Sequence, residues 1–177
     1  MMGLQQTPAA ALAVSLDEVK TYLRIEHAHE DGLIAGMIRS ATALCEAFTG
    51  QALITRGARE TLRLSAEWRR LSLTPVRSID AVVDGGGAAL AASSYAIDVD
   101  GAGDGWLRLP SAVSEQIVTV IFEAGGADDW NGVPEPLRQG ITRLVAHMHL
   151  HRDGAGEASP PAAVAALWRP FRRMRLK

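Results

Sequence analysis

The sequence predicts an α+β fold, in which a small helical bundle formed by the N- and C-terminal segments is interrupted by an antiparallel β-sandwich or barrel-like insertion. Three observations predict it. Apolar residues recur with a helical period across residues 15–50. From Thr55 the period falls to two. Helical spacing returns behind Pro134 and Pro136, a placement typical of a helix start. The boundaries read as 1–54 for an N-terminal helical part, 55–126 for the β insertion, 127–168 for a C-terminal helical part packing on the first, and 169–177 for a basic tail.

Residues 1–14 lack an early positive charge, so they read as a frayed N-terminus rather than a signal peptide. Ser15-Leu16-Asp17-Glu18 is a capping box, in which Ser15 accepts from the Glu18 backbone and Glu18 reaches back. A short helix to about Arg24 follows, and His27 to Asp31 connects it to a second. That second helix carries Leu33, Ile34, Met37, Ile38, Ala41, Leu44, Cys45 and Phe48 at helical offsets, and Gly50 supplies its stop. Gly36 inside it costs about 1 kcal/mol relative to alanine, which predicts a close approach by a neighbour.

In the β block, Leu62 and Leu64 alternate with Thr61 and Arg63, Ile79, Ala81 and Val83 alternate with Asp80 and, less cleanly, Val82, and Tyr95, Ile97 and Val99 alternate with Ala96 and Asp98. Residues 117–122 are apolar on both faces apart from Thr119, which predicts a central covered strand. Asp84-Gly85-Gly86-Gly87 and residues 100–105 are the turn signals. Behind Pro136, one stripe of Leu137, Ile141, Leu144, Val145 and Met148 predicts a helix. Residues 153–161 read as a loop, and a last short helix over 162–168 stops near Pro170.

Composition narrows the function. The 177 residues suit one domain, or one domain with an insertion, and no apolar run reaches membrane-spanning length. Net charge is −2, yet the last ten residues hold five basic groups and no acid. The remainder therefore carries 13 basic against 20 acidic residues. An acidic body with a cationic tail favours contact between that tail and an acidic surface.

The candidate chemistry reduces to structural readings. His147, His149 and His151 cannot share one ion from a helix, because His149 points well away at roughly 100° per residue. The stretch from Asp98 to Asp104 has Ala102 where a calcium loop needs an oxygen ligand, so it reads as a hairpin turn. His27, His29, Glu30 and Asp31 read as a connector with capping acids. Gly85 to Gly87 lack the Lys-Ser/Thr of a phosphate loop, and the lone Cys45 excludes both an internal disulfide and a cysteine zinc site. No catalytic residue, metal or cofactor is expected. The tail differs: Trp168 and Phe171 alternate with Arg169, Arg172, Arg173, Arg175 and Lys177, and aromatic and arginine residues are typical interface anchors. An alternative is a soluble nucleic-acid-binding module that uses these cations on phosphates.

Several stretches together resemble the head–tail connector (adaptor) proteins of long-tailed bacteriophages and gene transfer agents, in the long form with a β insertion. They are Leu16-Asp17-Glu18-Val19-Lys20 with Leu23-Arg24-Ile25, residues 41–55, and Leu73-Thr74-Pro75-Val76 with Ile79 and Val82. Tyr95 with Gly105-Trp106-Leu107-Arg108-Leu109, Val133-Pro134-Glu135-Pro136-Leu137-Arg138-Gln139, and residues 167–172 complete the set. Order and spacing carry the resemblance, since no single stretch is a strict motif. The helix behind Pro136 departs from the family's aromatic and Asn-Arg ending, and Arg173 to Lys177 are extra. The resemblance implies a structural protein of the particle neck, made in the bacterial cytoplasm. It implies a twelve-fold ring of copies that binds the portal protein, meets the next connector or tail terminator, and lets DNA pass in transit, with no membrane. Trp168, Arg169, Phe171, Arg172, Arg173, Arg175 and Lys177 would be the portal-binding residues.

Overall fold

A computed structural model describes residues 3–110, 116–151 and 160–173. By internal contact the chain divides into two compact units, Met1–Ala9 with Thr55–Gly125 and Ala10–Ile54 with Gly126–Lys177.

The helical unit begins with α1 (Leu16–Leu23), capped as predicted by the Ser15 hydroxyl accepting from the Glu18 amide. Lys20 of α1 pairs at 2.6 Å with Asp31, the first-turn acid of α2 (Asp31–Thr49). Ile34, Ile38, Ala41 and Cys45 bury one side of α2, and Gly50 ends it at φ 73°, a left-handed conformation that glycine adopts without strain. The chain leaves at Ile54 and returns beside its exit. Gly126 and Ala127 amides donate to the carbonyls of Ala52 (3.1 Å) and Leu53 (2.9 Å). Helix α3 (Glu135–Leu150) then buries Leu137, Ile141, Leu144 and Val145 against α2, and α4 (Ala162–Trp168) lies on α3.

The predicted close neighbour at Gly36 is absent among the described residues. A Cβ there would meet only the tip of Arg39, at 3.9 Å. The crowded glycine is Gly140 on α3, where a Cβ would stand 2.1 Å from the Trp168 indole nitrogen. The absence of one side chain lets α4 seat its tryptophan against the α3 backbone.

The β unit holds two antiparallel sheets, and among the described residues neither closes into a barrel. The first has the order β1 (Gly3–Gln6), β2 (Arg56–Leu64), β7 (Gln116–Ala124), β4 (Val76–Asp84). The second pairs β3 (Arg69–Arg70), β6 (Gly105–Arg108) and β5 (Ala96–Val99). Three sequence expectations change here. Gly3–Gln6 is a paired strand rather than a frayed end, in register with Ala58–Thr61, so residues 3–9 belong with the β unit and not with the helices. Strand β7 is central but covered on one side: Val118, Val120, Phe122 and Ala124 are buried, whereas Ile117 is 48% exposed. In β4 a bulge between Ile79 and Ala81 reverses the alternation. Val82, opposite Val120, is buried, and Ala81 and Val83 are only half-buried.

Denaturant unfolding of three variants checks this packing. Trp168→Ala should lose about 3–5 kcal/mol. Gly140→Ala should lose about 1–3 kcal/mol by overpacking, while Gly36→Ala should gain about 0.5–1 kcal/mol from helix propensity alone. A Gly140→Ala protein as stable as the parent would contradict the seating of Trp168.

Candidate functional site

The C-terminal segment is the site that sequence reasoning singled out, and the structure divides its residues by task. Val164 and Trp168, four apart on α4, point into the helical core. Trp168 is fully buried. Its indole N–H donates to the Leu137 carbonyl at 3.4 Å, and its ring packs tilted against Phe48 of α2 with centroids 5.8 Å apart. Expected at the sequence level to be an exposed anchor, it is a core residue instead. A tryptophan has too much apolar surface to leave in water when a glycine opens a slot for it.

A 3₁₀ turn over Arg169–Phe171 follows, and the segment then fastens to the end of α2. The Gln51 side-chain Nε2 donates to the Phe171 carbonyl at 3.4 Å, and the Arg173 backbone amide donates to the Thr49 carbonyl at 2.9 Å. Helix ends leave carbonyls unpaired, so the second bond satisfies one of them. The last turn of α2 carries no basic residue of its own. Arg172 and Arg173 bring positive charge to the end where the helix dipole is negative, a contribution of about 0.3–1 kcal/mol. Arg172 lies over the Phe48 ring at 5.7 Å. Arg169 and Arg172 are exposed, Phe171 and Arg173 are half-buried, and Arg175 and Lys177 lie outside the described residues.

The other candidates resolve into structural roles. His147 and His151 stack at 4.4 Å, and the His151 ring nitrogen contacts the His147 carbonyl at 2.9 Å. His149 turns away to Glu30 at 3.3 Å. Among the described residues no three His, Cys, Asp or Glu side chains are placed to hold a metal ion. The Asp100 carboxylate accepts from the amides of Ala102 and Asp104 and from the Trp106 indole, which makes it the brace of the β5–β6 hairpin. Asp84 braces its glycine turn in the same way through Gly86 and Ala88. Sequence reasoning missed buried Glu60, whose carboxylate accepts from the backbone and hydroxyl of Ser72; the charged residue in an alternating strand was its only signal. A cleft of ≈ 320 Å³ in the β unit is lined by Gln5, Gln6, Thr7, Gly57, Ala58, Arg59 and Ile121, with no acid–base pair. Cys45 is fully buried, and burial, with a smaller push from the Glu46 charge, raises its thiol to about 12.

The model of the head completion protein family matches residues 13–155 of the chain. No curated protein matches it. Among solved structures, the chain is similar to a protein in the neck of an empty gene transfer agent particle computed with sixfold symmetry, at 25% identity and a TM-score of 0.80 over 99% of this chain and 98% of that one. It is similar to a protein of the native gene transfer agent virion at 28% identity and TM-score 0.76, with the same coverage. A third likeness, at 26% identity and TM-score 0.75, again with 99% and 98% coverage, is to a protein in the neck of the native particle computed with twelvefold symmetry.

The Cys45 thiol ionises near 9.0 in its ordinary state and near 12 in the fold. Its contribution to stability is therefore intact below pH 9 and is lost as pH rises towards 12. Urea midpoints of the parent and of Cys45→Ala, measured between about pH 8 and pH 11, should draw together above pH 9. A gap that stays constant would contradict the burial of a neutral thiol.

Proposed function

The chain belongs to the head completion protein family, and on that premise we propose that it is a structural connector of the particle neck, joining the portal to the next connector or tail component. One observation carries the reading: nearly the whole chain follows the backbone of a gene transfer agent neck protein at 25% identity. In this role copies of the chain form a closed ring, twelve-fold in the particle, with DNA passing through the lumen. No step of chemistry is required of it. The work is to hold two larger assemblies in register.

The portal contact falls to the C-terminal segment. Arg169 and Arg172 are exposed on a turn whose backbone is fastened at Gln51 and Thr49, so little backbone order has to be gained on binding. Phe171 and Arg173 back them, and Arg175 and Lys177, outside the described residues, add two more positive charges to the segment's sequence. Trp168 contributes by holding the turn in place. An acidic or carbonyl-rich portal surface is the complement such arginines select. The nucleic-acid alternative draws on the same cations and gains no observation of its own.

Complementation of particles that lack the chain tests this. The double variant Arg169→Glu, Arg172→Glu should keep the parent's circular dichroism and lose only a few degrees of melting temperature, while its binding to portal-bearing heads falls by about 10–100-fold. Tail attachment should fall with it. Heads that acquire tails normally when the chain is absent would rule out the connector role.

A further inference from the structure

The apolar arc of α2 is wider than the core that covers it. Ile34, Ile38, Ala41 and Cys45 face α1, α3 and α4 within the helical unit. Beside them runs a second stripe of Leu33, Gly36, Met37, Ser40, Leu44 and Ala47. At roughly 100° per residue these six fall within an arc of about 100° and span about 21 Å. None is charged, although a solvated helix face ordinarily carries Lys, Arg, Asp or Glu. Leu33 is 46% exposed and Leu44 39% exposed, while Ser40 and Ala47 are also exposed. The nearest charged residues on the helix, Arg39 and Glu46, are rooted off the stripe; the Arg39 guanidinium folds over towards Gly36, and Glu46 accepts the Leu53 amide at 2.8 Å.

Gly36 supplies an independent sign. A glycine inside a helix costs about 1 kcal/mol, and such a cost is usually offset by a close approach. Gly140 has its approach in Trp168, whereas a Cβ at Gly36 would meet only the tip of Arg39, at 3.9 Å. Among the described residues nothing outside α2 comes within 4 Å of that position, which leaves room for a neighbouring molecule.

We propose that this face of α2 is the lateral contact with a second copy of the chain. The inference rests on the connector reading. The related chains sit in necks of sixfold and twelvefold symmetry, and in a ring every copy is flanked by two others. Ring closure uses a heterologous contact, one face meeting a different face of the next copy. A face with two exposed leucines and the small Gly36, Ser40 and Ala47 beside them, and no charged residue rooted in it, suits that contact, because it allows a helix backbone to approach closely at little desolvation cost. The portal contact, in contrast, is assigned to cations just past the C-terminal end of the same helix, on residues that the stripe does not include. The two surfaces can therefore be separated by mutation.

Two measurements on assembled particles test the assignment. In the first, Ser40→Cys is labelled with a benzophenone maleimide and irradiated; buried Cys45 stays unlabelled. A product of twice the chain's mass is expected. A cross-link only to a different neck protein, or none from a chain that is present in the particle, overturns the proposal and leaves the connector reading standing. Absence of the parent chain from particles overturns both. In the second, Leu33→Glu with Leu44→Glu should retain the parent's melting temperature and portal contact but self-associate at least about tenfold more weakly. Particles of this variant should then carry fewer copies per neck. An unchanged copy number overturns the proposal.

Discussion

Trp168 closes the helical unit. Its indole lies on the α3 backbone at Gly140, donates to the Leu137 carbonyl and packs on Phe48 of α2. One side chain thus links the last helix to the two that form most of the core. Everything C-terminal to it inherits its position. The 3₁₀ turn, the Phe171 carbonyl held by Gln51 and the Arg173 amide held by Thr49 follow only if Trp168 is seated. The exposed arginines thereby gain a defined place at the end of α2, where the helix dipole favours them.

Sequence periodicity read α2 well because its signal is local: Ile34, Ile38, Ala41 and Cys45, at helical offsets, all reach one core. The capping box and the Gly50 stop were legible for the same reason. What escaped was set by partners distant in sequence. Gly3–Gln6 has a single apolar residue, and its strand exists because β2 offers an edge some fifty residues away. The β4 bulge moves Val82 inward only because Val120 stands opposite. Of two helix-interior glycines, the sequence drew attention to Gly36, yet only the position of Trp168 makes Gly140 the crowded one. Trp168 itself sits among arginines, a pattern shared by interface anchors and by core residues at the end of a basic segment.

Two surfaces with opposite chemistry emerge from the helical unit. The C-terminal turn presents cations on a fixed backbone. The outer stripe of α2 presents leucines and small residues without charge. Under the connector reading, the first surface suits a partner chosen by charge and the second suits a neighbouring copy of the same chain. A ring component needs both kinds of contact, and it needs no acid–base pair or metal. The family match and the near full-length likeness to neck proteins place the chain with proteins that share this architecture.

The most direct test of the connector account is electron cryomicroscopy of particles that contain the chain, averaged around the neck axis and compared with particles from which it is deleted. The account predicts a ring of density between portal and tail that fits the helical and β units, and its loss together with the tail on deletion. A neck unchanged by the deletion, with tails still attached, would contradict it.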